Sequence, residues 1–358
     1  MKRVFILTVW ALLSSLTAGA AGEVRNVIYL IGDGMGLAHV AMLQIENEYA
    51  PTAFERAQHV ALVATRSANN RVTDSAASGT ALAAGVRTDN GTVGLDPAGE
   101  RLESMMIKAG RQGMATGIVV TSSLLHATPA AFYAHSAERY DYATVRGDLL
   151  PSGIDVLYGG GMAQLGEEYP GGGTWLDAFH GRGYAIARSL DEAAAAAPGR
   201  LLTVLADDHL PHASERGDYL PCAVRQALDR LSDDGRGFLL MVEGSQIDMA
   251  AHAHDAAWLL DEMRDFERAV AAAMDFADRT PGTLVVVVAD HETGGLVIPA
   301  NDTDFTRAEN GLNYRFGSGS HTAVSVPAFS YGAGSDRLTG MMDNITLAWR
   351  IMELLGLE

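Results

Sequence analysis

The sequence predicts an α/β protein with a central, mostly parallel β-sheet flanked by helices on both faces. Short continuous apolar runs recur at residues 26–31 (NVIYLI), 115–121, 238–242 (FLLMV) and 284–289 (LVVVVA), as strands buried on both faces require. Helical stretches separate them, above all residues 255–278, and such alternation argues parallel strand pairing. The 358 residues, 48% of them hydrophobic, suffice to bury one large core.

Residues 1–20 read as a signal peptide. Lys2 and Arg3 start it, residues 4–16 are apolar, and Ala18-Gly19-Ala20 supplies the small-residue cleavage site. The apolar stretch is too short to span a membrane and no second long run appears, so an exported protein, periplasmic or secreted and without a membrane anchor, is expected. Cys222 is the only cysteine, which excludes an intrachain disulfide, and with no cysteine after the cleavage site a lipid-anchored form is not expected. Residues 21–358 then form a single domain.

The run at 26–31 ends in Gly32-Asp33-Gly34-Met35-Gly36, and the carboxyl ends of such strands are where open α/β sheets place ligands. A β-run at 59–65 leads into VTDSAASGTALAAG, residues 72–85. Small residues at helical spacing carry on from Ser75, which places its hydroxyl at a helix N-terminus, where free N–H groups favour a phosphate. Taken alone, this reads first as an N-capping Ser or Asp at a small-residue helix. Residues 102–110 read as a helix closed by glycine, and the strand at 115–121 is followed by SSLLHATPAAFYAHSAER, residues 122–139. A strand at 154–157 runs into three glycines. A less regular stretch around 160–236, with a helix fragment at 193–197 and a strand at 201–205, reads as a covering segment, because no linker-like composition sets it off.

The strand at 238–242 ends in EGSQIDMAAH and the strand at 284–289 in DHETGG. Ser318-Gly319-Ser320-His321-Thr322, a strand ending near Tyr331 and a helix from about residue 344 complete the chain. Asp33, Glu243, Asp248, His252, Asp290 and His291 thus all sit where apolar runs end, a poor place for merely solvated charge. Asp248 and His252 are four apart, so one helical turn presents both to a single ion. A mixed oxygen and nitrogen set suits Zn²⁺, whereas oxygen ligands such as Asp33, Thr128 and Glu243 suit Mg²⁺.

The net charge is −18; without Lys2 and Arg3, 24 basic residues face 44 acidic ones, or −20. Such a surface repels nucleic acid, so neither nucleic acid nor an anionic membrane is an expected partner. Lys108 is the only lysine beyond the signal, which leaves arginine or metal to hold an anion.

The segments TDSAASGTALAAG, VEGSQID-x3-H and ADHETGGL, in this order and spacing, closely resemble the alkaline phosphatases, and the similarity runs from NVIYLIGDGMG to HTAVSVPAFSYG and the C-terminal MDN helix. The resemblance implies the alkaline phosphatase-like fold and a compact bacterial enzyme. It further implies hydrolysis of small phosphomonoesters to alcohol and inorganic phosphate through a phosphoserine on Ser75. It implies two Zn²⁺ and one Mg²⁺ per subunit and a homodimer. Asp248, His252 and His321 match one zinc site; Asp33, Asp290, His291 and the Ser75 oxygen match the second. Asp33 bridges to a third site completed by Thr128 and Glu243. Arg139 matches the arginine that clamps two phosphate oxygens, with Asp74 placed to orient it.

Two positions depart from the common pattern. His126 stands where some relatives have aspartate and could ligate or buttress the third ion, shifting preference toward Zn²⁺ or Co²⁺. Met249 stands where relatives have lysine, histidine or tryptophan and cannot donate to phosphate, so weaker product binding is expected. His39, His135, His209, His212 and His254 match no ligand position and read as structural or surface residues. The competing readings are a phosphodiesterase or sulfatase of the same superfamily and a phosphate- or phosphonate-binding protein without turnover. Ser75, Thr128, Glu243 and Arg139 together favour the monoesterase.

Overall fold

The computed structural model describes residues 23–233, 235–299 and 313–358, so the expected signal segment lies outside the described residues. Eight strands come first in chain order: β1 (Asn26–Gly32), β2 (His59–Ala64), β3 (Ala115–Ser123), β4 (Val156–Gly160), β5 (Ala185–Ala187), β6 (Leu201–Val204), β7 (Phe238–Gly244) and β8 (Thr283–Val288). With Val326–Gly332 and Gly340–Asp343 they form a ten-stranded sheet in the order Gly340–Asp343, β2, Val326–Gly332, β8, β1, β7, β3, β4, β6, β5. Only Val326–Gly332 is antiparallel to its neighbours, β2 and β8. Every other pair is parallel.

The apolar runs explain the centre of the sheet. Every residue of β1, β3, β7 and β8 is buried, because helices cover both faces. Helices Tyr219–Ser232 and Ala256–Arg279 pack together across β1, β3, β7 and β8, while Ser75–Ala84, Met105–Arg111 and Asn344–Leu355 form the opposite layer. Each fully buried Val, Leu or Ile of those strands contributes about 1.5–3 kcal/mol, which fixes the frame on which the strand ends rest.

Residues 160–236 do more than cover the sheet. They supply strand β6, the edge strand β5 and the helix Tyr219–Ser232, which packs on β3. The strand expected at 201–205 is β6, whereas β5, at three residues, is too short to show a period and is hidden in the sequence pattern. The helix expected at 102–110 runs instead over Met105–Arg111, because the Ser104 side chain accepts the Ile107 N–H at 3.2 Å and caps it. No helix among the described residues is long and apolar enough to cross a membrane.

Two close approaches set the cleft. Gly34 turns with φ +75°, and a Cβ there would meet Asp248 Cα at 3.0 Å, so only glycine lets the end of β1 pass beside the Asp248 helix. In Ser75–Ala84, all of it buried, a Cβ on Gly79 would lie 3.1 Å from Ala131 Cβ. That helix therefore lies tight against the turn carrying Thr128.

Candidate functional site

The carboxyl ends of β1, β3, β7 and β8 open on one edge of the sheet. Asp33 follows β1, Thr128 follows β3, Glu243 closes β7, and Asp290 and His291 follow β8. Helix Gln246–His252, which follows β7 after Ser245, presents Asp248 and His252 together, and a two-stranded pairing with Thr293 returns His321 to the same place. Three groups result: Asp248, His252 and His321; Asp33, Asp290 and His291; Asp33, His126 and Glu243. Within each, one ligand atom per residue lies within 4.8 Å of the others. The protein ligands expected of the two zinc sites thus come together, and Asp33 and Glu243 of the third set meet with His126 rather than Thr128 as the third member of their group.

Hydrogen bonds behind the histidines fix which nitrogen faces the cleft. His252 Nδ1 donates to the Gly319 carbonyl at 3.0 Å and His321 Nδ1 to the Thr73 carbonyl at 2.8 Å. Thr293 Oγ1 donates to Asp248 Oδ1 at 2.5 Å and so accepts from His291 Nδ1 at 3.1 Å. Each Nδ1 proton is thereby committed, and each Nε2 presents a lone pair inward. His252 Nε2 and His321 Nε2 then face each other at 3.1 Å, and both lie about a hydrogen-bond length from Asp248 Oδ1, at 3.4 and 3.5 Å. Two lone pairs at that distance repel unless a cation lies between them.

The deeper groups are rich in acid. Asp33 is fully buried, and burial followed by the charges of Asp290, Asp248 and Glu243 pushes its carboxyl well above the usual range. Burial raises Asp290 also, and lifts Glu243 to about 8 despite hydrogen bonds from the Ser245 and Ser122 hydroxyls. His291 and His126 are held neutral, mainly by burial and then by neighbouring positive charge. Both Asp33 oxygens, Asp290 Oδ2, Glu243 Oε1, Thr128 Oγ1 and His126 Nδ1 are buried without a hydrogen-bond partner. Buried oxygens in that number are ordinarily paired, so a divalent cation fits both sets.

Ser75 begins helix Ser75–Ala84, with its Oγ 3.3 Å from His291 Nε2. Asp74 caps the helix through the Ala77 N–H at 3.0 Å and holds Arg139 Nη1 at 3.1 Å, as expected. Burial alone lowers the Arg139 pKa, but Asp74 outweighs it and keeps the guanidinium charged. Its Nη2 donates to His126 Nε2 at 3.3 Å, and Tyr140 places its ring 5.3 Å below the guanidinium. A phosphate beside Ser75 would meet a helix N-terminus and this arginine.

The remaining histidines take the structural places expected of them. His39 is buried, accepts the Gly36 N–H and is pushed down to about 4 by burial. His135 pairs with Asp148, His212 stacks on Trp258, and His209 accepts the Ser123 N–H. The layer behind the ligands carries no such signal in the sequence. Thr293 lies inside the DHETGG segment without an assigned role, and the carbonyls of Thr73 and Gly319 have no side-chain signature at all.

A family model described as alkaline phosphatase matches residues 24–311. Alkaline phosphatase 4 of Bacillus subtilis is 36% identical over 304 residues, covering 80% of this chain and 65% of the relative. Streptomycin-6-phosphate phosphatase of Streptomyces griseus is 34% identical, covering 97% of this chain and 96% of its own. Among solved structures, the alkaline phosphatase of the Antarctic bacterium TAB5 superposes with a TM-score of 0.88 at 32% identity, covering 94% of this chain and 99% of that one. A histidine-to-aspartate variant of that enzyme, with Mg bound in its M3 site, superposes with a TM-score of 0.86 at 31% identity, covering 93% and 98%.

Proposed function

This chain belongs to the alkaline phosphatase family and is a metal-dependent phosphomonoester hydrolase, and we propose that it works through Ser75, with Arg139 as the phosphate clamp. The observation that carries the reading is the meeting of Ser75, three inward Nε2 lone pairs and a shared Asp33 at one sheet edge. We assign two Zn²⁺ to the groups Asp248/His252/His321 and Asp33/Asp290/His291/Ser75. A third ion would be held by Asp33, Thr128 and Glu243. Magnesium suits its oxygen ligands, and His126 shifts the balance toward Zn²⁺ or Co²⁺.

When bound, such ions neutralise phosphate charge and lower the pKa of the attacking hydroxyl. The chain's own residues do the rest. Arg139 takes two non-bridging phosphate oxygens, and Asp74 keeps its fork in plane with them. Ser75 Oγ attacks phosphorus in line, the ester oxygen leaves as the alcohol, and the phosphoryl group rests on Ser75. Water then attacks the same phosphorus from the vacated side, breaking the bond to Oγ and releasing inorganic phosphate. The N-terminus of helix Ser75–Ala84 steadies the transferring oxygens throughout. Met249 on helix Gln246–His252 has no donor to offer phosphate, so product binding rests on Arg139 and the ions.

We further propose export to the periplasm or the exterior, supported by the charged start, apolar stretch and small-residue site of residues 1–20. A homodimer is supported by an uncovered apolar face: Val60 and Leu62 of β2 and Met341 beside Leu62 on the next strand are 53%, 41% and 74% exposed.

The test is release of phosphate from a chromogenic monoester at alkaline pH with Zn²⁺ and Mg²⁺, beside the matching diester. Monoester turnover should collapse in Ser75→Ala. Preference for the diester, or turnover indifferent to Ser75, would overturn the assignment.

A further inference from the structure

Helix Gln246–His252 ends in a double closure, with the His254 N–H donating to the Ala251 carbonyl and the Asp255 N–H to the Ala250 carbonyl, each at 3.1 Å. In that closure the residue two past the last helical one takes the left-handed conformation, and glycine or asparagine is the residue that takes it without strain. Here it is His254, with φ 55°. A non-glycine residue held there by its surroundings points to a task for its side chain. The His254 ring lies flat on Phe316, centroids 4.9 Å apart and planes 6° from parallel, and its Nε2 donates to the Ser318 carbonyl at 2.7 Å. The next carbonyl along, Gly319, is the one that accepts from His252 Nδ1. Two histidines on one helix end thus hold two consecutive carbonyls of the strap that leads to His321.

The strap is also tied on its far side and to itself. Phe316 pairs with Leu296, Gly317 N–H donates to the Gly295 carbonyl at 3.1 Å, and Ser318 N–H donates to the Gly294 carbonyl at 3.0 Å. The peptide that carries the Gly319 carbonyl is keyed to Ser318 in turn: its Ser320 N–H donates to Ser318 Oγ at 3.1 Å, and the Ser320 carbonyl beyond it accepts from the Gly294 N–H at 3.1 Å.

We infer that His254 is a positioning residue for the outer ion site: it pins the Ser318 carbonyl so that the Gly319 carbonyl stays on His252 Nδ1, which keeps the His252 Nε2 lone pair aimed at the ion. The inference rests on the assignment of Asp248, His252 and His321 as one site. His254 touches neither ion nor substrate and acts through the strap.

The decisive variant is His254→Gly, which suits the left-handed backbone and removes the side chain. Its Zn²⁺ affinity is read in the full-length protein by competition with a chromophoric chelator, alongside thermal unfolding of the metal-free form and the visible absorption of the Co²⁺-loaded form. The outer site should lose about tenfold in Zn²⁺ affinity, the usual effect of removing a residue that orients a metal ligand. The metal-free melting temperature should stay level or rise, and the Co²⁺ spectrum should change. His254→Asn, which tolerates the same backbone but is too short for Ser318, should behave alike. Wild-type Zn²⁺ affinity in both variants would overturn the inference, as would a loss matched by a fall in metal-free stability. If the wild type itself takes up no Zn²⁺ that His321→Ala abolishes, the site assignment fails and the inference with it.

Discussion

Asp248, His252 and His321 stand at the rim of the cleft, with the His252 side chain 37% exposed, whereas Asp33, Asp290, His291 and Glu243 are enclosed completely. The rim offers one carboxylate and two imidazoles whose protons are parked on backbone carbonyls. The interior packs three carboxylates around two neutral imidazoles, with Arg139 the cation that most opposes their charge on Asp33. At the rim the protein arranges lone pairs that solvent can reach; inside, it accumulates charge that solvent cannot reach. The first is a matter of aim and the second of energy. A cation bound at the rim would therefore exchange with solvent, whereas cations bound inside would become part of the folded core.

Removing the metals should give the largest effect, and its sign follows from Glu243. In the fold its carboxyl is pushed up to about 8 from the ordinary 4.5, so between those values the native metal-free protein binds a proton that the unfolded chain has released. Stability of the metal-free form is thus highest below that window and falls as pH rises through it, by about 1.4 kcal/mol for each pH unit that one such group spans. The metal-loaded form should lack this slope, and ion affinity should climb with pH across the same range. Melting curves with and without a chelator from pH 5 to 8 measure both. A metal-free protein whose stability rises over that range would refute the charge-crowded interior.

The contrast sharpens with two asparagine substitutions. Asp290→Asn removes one of the interior charges and should raise the melting temperature of the metal-free protein near pH 8 while abolishing turnover. Asp248→Asn should abolish turnover without that gain. Equal behaviour of the two would mean that rim and interior do not differ as described. Thr293→Val comes next, because this hydroxyl joins the two regions, donating to Asp248 and accepting from His291. Its loss frees the His291 tautomer and should cost about 10- to 100-fold in ion affinity at both sites. A loss confined to one site, read by isothermal titration, would show that the bridge is not shared.

The same contrast governs what the sequence revealed. Asp33, Glu243, Asp290 and His291 were legible because a charged or polar residue directly after a fully apolar run sits at a buried strand end, where it is costly unless a ligand or an opposite charge meets it. Asp248 and His252 were legible from their four-residue spacing. His321 and Arg139 were not, since one sits in a two-residue strand and the other in a loop, neither long enough to show a period, and only the resemblance to a family assigned them. The orienting layer was invisible for a different reason. The acceptors for His252 and His321 are main-chain carbonyls, which every residue owns, and Thr293 becomes meaningful only once Asp248 and His291 are seen on either side of it. In the frame, the long buried strands and β6 were readable and the edge strand β5 was not, because three residues leave no pattern to read.

The smallest expected effect lies at His126, where the interior meets the phosphate clamp. Its Nε2 accepts from Arg139 Nη2 at 3.3 Å, which requires a neutral ring with its proton on the buried, unpartnered Nδ1. Burial and then the Arg139 charge hold it in that neutral form. A ring so engaged has one lone pair for two claimants, the arginine and the third ion. Replacing it in His126→Asp supplies two oxygens with lone pairs for both, and exchanges a nitrogen donor for the hard oxygen that magnesium prefers. The ion beside Asp33 and Glu243 should then become magnesium when the protein is equilibrated with Zn²⁺ and Mg²⁺ together, as elemental analysis would report. Phosphate affinity should move little, because Asp74 still holds the other arm of Arg139 at 3.1 Å. Unchanged Zn²⁺ occupancy of that site would show that His126 does not choose its ion, and a collapse of phosphate affinity would show that His126, rather than Asp74, holds the clamp in place.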